Sequence, residues 1–312
     1  MIRQLQWTRG ETLGKGGFGF VSIAKTHQSE SGGNNHHLPI PPLIAVKSSI
    51  LSESKTLWME KGLLEKFKGC PSIIRCFGDD ITTTDTGEKF YNILLEYASG
   101  GCLADHIVPK KGMPENMVSR CTKSILTALV HIHKLGYVHC DVKPHNMLLV
   151  GGDAKLADFG TCTSIDDGKF CAFRGTVVYA APESIAWNKF VPESDIWGLG
   201  CSVLQMLTGK PPWVLDDRRK DVLFKIGSST EIPTYSKKIS KEAKDFLSKC
   251  LVKDPTARWK ADMLLDHPFV KKVTASRSNC SSRNHIVSSR LSHRGMHAIL
   301  PHCFHVPKVQ VC

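Results

Sequence analysis

Hydrophobic and polar positions change their period about one third of the way along the chain. Over residues 12–25 apolar and polar residues alternate on either side of a glycine cluster, which predicts two strands around a turn. Residues 26–42 hold Ser31-Gly32-Gly33-Asn34-Asn35 and Pro39-Ile40-Pro41-Pro42, which predict a long, mobile hairpin connection. Strand character returns at 43–48. Residues 55–67 predict a helix with Leu57, Leu64 and Phe67 near one face. Further strands are expected at 73–79 and 90–96, completing a small antiparallel sheet with one helix.

After Gly100-Gly101 the spacing becomes helical. Val118, Cys121, Ile125, Leu129 and Ile132 recur at intervals of 3 and 4 across 115–135, an apolar stripe that Gly136 stops. Residues 194–207, 241–251 and 261–265 continue in the same way. The expectation is an α+β chain with two lobes, a β-rich one over 1–97 and a mainly helical one over 98–270, followed by a tail over 271–312. No internal repeat is apparent.

At 312 residues and 41% hydrophobic, the chain has ample material for such cores. No apolar run approaches the roughly 20 residues of a spanning helix, and the first residues lack an apolar leader, so a soluble intracellular protein is expected. The 12 cysteines are scattered with no C-x-x-C pair, which reads as reduced thiols rather than a disulfide framework. The net charge of +12 is uneven: residues 271–312 hold seven Lys or Arg and no acid. That tail reads as a disordered, solvated extension. Two other readings compete for it: phosphate contacts to nucleic acid or an anionic membrane, and a metal site from His302, Cys303, His305 and Cys312. Neither has aromatic interleaving beyond Phe304 or zinc-ribbon spacing behind it, so nucleic acid is not an expected partner.

The chemistry concentrates in His139-Cys140-Asp141-Val142-Lys143-Pro144-His145-Asn146 and, twelve residues after Asn146, Asp158-Phe159-Gly160. Asp141 can take a proton from a hydroxyl. Asn146 and Asp158 can hold one metal cluster from two sides of a hairpin. Phosphoryl transfer needs those parts: a base near the nucleophile and cations on the transferring oxygens. Upstream, Gly14-Lys15-Gly16-Gly17-Phe18-Gly19-Phe20-Val21 lies between strand-like segments, where glycines let backbone N–H groups approach phosphate. Lys47 ends the apolar run Ile44-Ala45-Val46, and an unpaired buried ammonium is costly. Glu60, on or beside the stripe of the following helix, is the expected partner. Glu65 is the rival, but falls off the stripe.

Together these runs resemble the protein kinase family. Gly175-Thr176 through Ala181-Pro182-Glu183, Asp195-Ile196-Trp197-Gly198-Leu199-Gly200 and Asp254-Pro255-Thr256-Ala257-Arg258 resemble its later landmarks, and the resemblance spans about residues 9–270. It implies the two-lobed kinase fold, ATP and Mg2+ as cofactors, and transfer of the γ-phosphate to protein. Lys143 with Thr176 and Tyr179 points to serine/threonine acceptors. By the resemblance, Leu13, Gly14, Lys15, Gly16, Gly17, Phe18, Gly19 and Val21 cover the nucleotide, and Lys47 paired with Glu60 meets its phosphates. Val21 and Ala45 enclose adenine from above and Leu148 from below. Leu95 is the gatekeeper, and Glu96, Tyr97 and Ala98 form the hinge. Asp141 and Lys143 are catalytic, and Asn146 and Asp158 hold magnesium. Glu183 and Arg258 form a structural ion pair.

At finer grain, Glu60-x-x-x-Leu64, Cys70-Pro71-Ser72-Ile73-Ile74, residues 94–101 and His139-Cys140-Asp141 resemble plant-type mitogen-activated protein kinase kinase kinases. The partner this implies is a mitogen-activated protein kinase kinase, met in the cytoplasm, with the nucleus as a second compartment. The rival class is a nucleotide-binding pseudokinase scaffold, against which all the residues named for catalysis are present. Two departures stand out. Cys140 replaces the arginine that in many kinases grips a phosphorylated activation segment, a contact a thiol cannot make. Activity is therefore expected to depend weakly, or not at all, on phosphorylation of Thr161, Thr163 or Ser164. Gly198 stands where serine is usual, and the sequence offers no account of it.

Overall fold

The structure, a computed structural model, describes residues 5–16, 19–27, 40–167, 173–213, 219–234 and 238–271. Most of the 26–42 connection and all but the first residue of the 271–312 tail lie outside the described residues. So do Gly17 and Phe18 of the glycine run.

Five antiparallel strands form the larger sheet: β1 (Gln6–Gly16), β2 (Gly19–His27), β3 (Leu43–Ile50), β4 (Cys76–Thr83) and β5 (Lys89–Glu96), in spatial order β1-β2-β3-β5-β4. The Thr26 N–H and hydroxyl reach the Pro42 and Pro41 carbonyls at 3.0 and 2.9 Å, closing the connection between β2 and β3. Helix α1 (Lys55–Lys66) packs on one face of this sheet, burying Leu57, Glu60 and Leu64. Side chains alternate across a strand, so the two faces differ. Ala45, Ile93 and Leu95 join the main core, with Val21 packed against it. Ala24, Ile44, Val46 and Leu94 form a separate small cluster on the other face, under Leu5, Trp7, Ile40 and Phe77.

The strand expected at 73–79 begins and ends later, as β4. Ile73 and Ile74 are buried, but their segment crosses toward the second lobe. Ile74 N–H donates to Leu156 O at 2.9 Å, and Leu156 N–H to Ser72 O at 2.8 Å. The two acids of β4 are satisfied within the sheet: Asp79 accepts from Tyr91 Oη at 3.0 Å and lies 3.3 Å from Lys61, and Asp80 accepts from Trp7 Nε1 at 3.0 Å.

The remainder is helical around two short two-stranded sheets. In chain order come α2 (Glu115–Lys134), β6 (Tyr137–Val138), β7 (Met147–Val150), β8 (Asp153–Leu156), β9 (Thr163–Ser164), α3 (Pro182–Trp187), α4 (Pro192–Thr208), α5 (Arg219–Gly227), α6 (Lys241–Cys250), α7 (Ala261–Leu265) and α8 (Pro268–Lys271). The expected stripe on α2 is buried throughout. Strand β6 pairs with β9, and β7 with β8. Helix α4 is buried on every face from Ser194 to Leu204, the signature of a central core helix. Proline opens it, and Gly209, at φ 66°, ends it.

One ion pair belongs to this architecture. Arg258 Nη1 and Nη2 donate to Glu183 Oε1 and Oε2 at 2.8 and 3.1 Å, and both side chains are wholly buried. Arg258 also reaches the Glu193 and Val252 carbonyls, and Ser194 Oγ donates to Glu183. The pair fastens α3 to the end of the chain's helical part. Glu183→Ala strands a buried guanidinium, and a loss of about 3–5 kcal/mol is expected in denaturant unfolding. A loss within 0.5 kcal/mol, roughly the surface-substitution scale, would contradict this role.

Candidate active site

Lys47 sits in mid-sheet on β3, opposite Val21 of β2 and Ile93 of β5. Its Nζ lies 2.5 Å from Glu60 Oε2 on α1 and 2.9 Å from Asp158 Oδ1. Sequence spacing suggested Glu60 as its partner; the second carboxylate, 111 residues away, is an addition. Burial alone would depress the ammonium, but Asp158 and Glu60 together hold its pKa above the ordinary lysine value. Burial pushes Glu60 up while Lys47 pulls it back. Glu65 is exposed and takes no part.

Asp141 is buried. Its Oδ2 accepts from Lys143 Nζ at 2.8 Å and from Asn146 Nδ2 at 3.2 Å, and its main-chain oxygen accepts from Asn146 Nδ2 at 2.9 Å. With Nδ2 so used, Oδ1 is the atom Asn146 has for a cation. Asp141 Oδ1 is buried with no hydrogen-bond partner, an orphaned acceptor of the kind that marks a reacting site. Lys143 also donates to Thr176 Oγ1 at 2.7 Å, tying the catalytic loop to the segment over 175–181. That segment comes close because residue 175 is glycine: at φ 96°, a Cβ there would fall 2.3 Å from Cys140 O.

Asp195, in the first turn of α4, holds this loop from below. It accepts from the His139 and Cys140 N–H groups at 2.8 and 2.9 Å and lies 2.8 Å from His133 Nε2. Sequence reasoning saw Asp195 only as a landmark; an acid inside the apolar run of α4 was the signal of a buried task. Cys140 and Asp158 have φ of 69° and 62°, left-handed values that non-glycine residues rarely hold. His139 Nε2 lies 3.1 Å from Ala157 O, and its ring packs edge-on against Phe159, joining the two parts of the site.

The residues expected to cover a nucleotide divide. Gly14 to Gly16 and Gly19 form the two arms of a hairpin, with Gly16 paired to Gly19. Gly19, at φ 123°, has a steric reason of its own, because a Cβ would lie 1.9 Å from Ser48 O. Ala45 and Leu95 share a sheet face, with Val21 and Leu148 packed against the same cluster. Leu13 stands on β1, half-buried, and Lys15 is exposed. Glu96 spends its carboxylate on Lys155, at 2.9 and 2.8 Å, and its N–H on Arg75 O. Any main-chain bond it makes to a nucleotide therefore runs through its carbonyl. Tyr97 and Ala98 follow it out of β5. The residues fit a metal held jointly with phosphate oxygens and water, as magnesium prefers. Asn146 and Asp158 offer oxygen, and among the described residues no three His, Cys, Asp or Glu converge as a closed cage would need.

A profile of the protein kinase domain matches residues 7–270. The chain belongs to the protein kinase family. Among curated proteins, mitogen-activated protein kinase kinase kinase 20 of Arabidopsis thaliana is 43% identical over 85% of this chain and 78% of its own length. Mitogen-activated protein kinase kinase kinase 17 of the same plant is 38% identical over 85% and 70%. Mitogen-activated protein kinase kinase kinase A of Dictyostelium discoideum is 32% identical over 86% of this chain and 28% of its own. The protein is thus a serine/threonine protein kinase with the two-lobed kinase fold.

The kinase's two departures share one place. Cys140 and Gly198 both line a small space beside Asp141, of about 10 Å3. A Cβ on Gly198 would stand 3.0 Å from Val142 O and 3.4 Å from Tyr179 O, so glycine lets α4 press against the catalytic loop. Burial and the neighbouring Asp195 push the Cys140 thiol well above its usual range. The segment after Gly160 is held by hydrogen bonds to main-chain oxygens and by strand pairing instead of a phosphate grip. Thr161 Oγ1 donates to His139 O at 3.1 Å, Arg174 Nη1 to Thr161 O at 3.4 Å, and Ile165 N–H to Gly136 O at 2.9 Å, while β9 pairs with β6. Kinase protein with alanine at Thr161, Thr163 and Ser164 together is expected to keep most of its peptide phosphorylation rate. An inactive but folded triple variant, judged by circular dichroism, would contradict this.

Proposed function

We propose that this kinase uses ATP and Mg2+ and acts as a mitogen-activated protein kinase kinase kinase, phosphorylating serine or threonine of a mitogen-activated protein kinase kinase. Residues 1–97 serve as the nucleotide lobe and 98–270 as the catalytic and docking lobe. The observation that carries the reaction is the orphaned Oδ1 of buried Asp141, beside Lys143 bridged to Thr176. Asp141 orients the acceptor hydroxyl and takes its proton. Lys143 offsets charge on the transferring group. Asn146 and Asp158 hold the metal, and Lys47, kept cationic, meets the phosphates. Bound magnesium would supply charge neutralisation at the phosphate oxygens. The tier rests on the names of the relatives and on the sequence runs quoted above. Its proposed compartment is the cytoplasm, with the nucleus as a second.

Purified mitogen-activated kinase kinases offered with ATP and magnesium test both reaction and tier. Phosphate is expected on at least one of them. Asp141→Asn is expected to lower kcat by about 10²- to 10⁴-fold, and Lys47→Met and Asp158→Ala are expected to abolish most transfer. Wild-type protein that phosphorylated neither these proteins nor any peptide would favour the scaffold reading. Full transfer by Lys47→Met would undo the residue roles.

A further inference from the structure

The sheet face opposite Lys47 carries a second polar arrangement that none of the chemistry above uses. Ser22 on β2, Ser48 on β3 and Asn92 on β5 are fully buried there. Each directly neighbours a residue of the nucleotide-side row, Val21, Lys47 and Ile93, and so points the other way. Ser48 Oγ donates to Asn92 Oδ1 at 2.7 Å. Asn92 Nδ2 reaches Thr82 Oγ1 and Asp80 O on β4 at 3.1 and 3.2 Å. Arg9 on β1 completes the row: Nη1 donates to Ser22 Oγ at 2.8 Å and Ser48 Oγ at 3.0 Å, and Nη2 to Asn92 Oδ1 at 2.8 Å. One hydrogen-bonded line thus crosses all five strands, back to back with the lysine that faces the phosphates.

Arg9 also sits where the pairing that leads to the glycine-rich turn first becomes irregular. The pairing of β1 with β2 shifts register between Arg9 and Thr12, and again between Thr12 and Gly14. Such irregularities bend and re-aim a strand. Leu13 falls within the second of them and Gly14 and Gly16 lie beyond both, so Arg9 is the last paired residue of β1 before the first irregularity. The returning arm is held by the same guanidinium, which lies 5.1 Å from the ring centroid of Phe20, next to Gly19. On its other side Arg9 is 5.1 Å from the Trp7 ring. Apolar residues fill the neighbouring positions of this face, Ala24, Ile44, Val46 and Leu94. An apolar row would therefore have sufficed for packing, whereas a satisfied polar network fixes position.

We propose that Arg9 is a positioning residue for the glycine-rich loop, setting both of its arms over the nucleotide phosphates from the far side of the sheet. This rests on the ATP reading above. A planar fork suits the task, because three acceptors on three strands must be met at once.

Arg9→Met keeps much of the stem and removes the donors. The KM for ATP is expected to rise about five- to tenfold, with kcat and the peptide KM within about twofold, since only nucleotide seating is disturbed. Arg9→Lys is expected to recover part of the loss. Ser22→Ala, a milder change, is expected to raise the ATP KM by a smaller factor, and it carries the test should Arg9→Met not fold. Affinity for a fluorescent ATP analogue, read without peptide, should fall in parallel. Unchanged ATP KM and affinity in folded Arg9→Met, with only the melting temperature lowered, would make the row structural and overturn the proposal. So would equal falls in kcat for Arg9→Met and Arg9→Lys with the ATP KM unmoved. Wild-type protein that bound no ATP would overturn this inference and the ATP reading together.

Discussion

Everything in the site depends on one ammonium held between two carboxylates. Lys47, Glu60 and Asp158 come from a central strand, a helix and the turn after β8, and they meet at 2.5 and 2.9 Å. Burying Lys47 or Glu60 alone would cost several kcal/mol, so each fixes where the other can be, and the more exposed Asp158 is drawn to the same ammonium. An ion pair of this kind adds little net stability over a well-packed apolar substitute. Its effect is positional: α1 must lie where Glu60 reaches Lys47, and the turn at Asp158 must close toward the sheet. The small lobe, its helix and the turn at Asp158 thereby form one unit around Lys47.

The catalytic loop depends in the same way on Asp195. A left-handed residue beside each key acid, Cys140 next to Asp141 and Asp158 itself, costs of order 1–3 kcal/mol. The strained peptide at Cys140 is kept by two charge-assisted bonds from backbone N–H groups to one buried carboxylate. Helix α4 is buried all round and cannot shift without breaking the core, so it makes a firm base for that carboxylate. Gly198 brings it closer still to Val142. The loop that carries Asp141 is therefore positioned by a helix that lies behind it.

Much of this was legible in the chain because chemistry forces residue types into short runs. The spacing of Asp141, Lys143, Asn146 and Asp158 survives folding as a local arrangement, and Glu60 could be found because its helix has one buried face. What escaped was long-range. Nothing local links Lys47 to Asp158, Asp195 to the loop it holds, or Arg9 to Asn92, 83 residues away. The strand expected at 73–79 starts three residues later because Ile73 and Ile74 are apolar for a different reason, packing at a crossing toward β8. The role of Gly198 was invisible because it lies in the approach of two backbones.

The most direct measurement of the central claim is the magnesium dependence of ATP affinity, read by calorimetry in wild-type protein and in Asp158→Asn. If Asp158 divides its charge between Lys47 and a phosphate-bound metal, magnesium tightens ATP binding to the wild type and has little effect on the variant. An Asp158→Asn protein whose ATP affinity responded to magnesium as the wild type does would contradict the account.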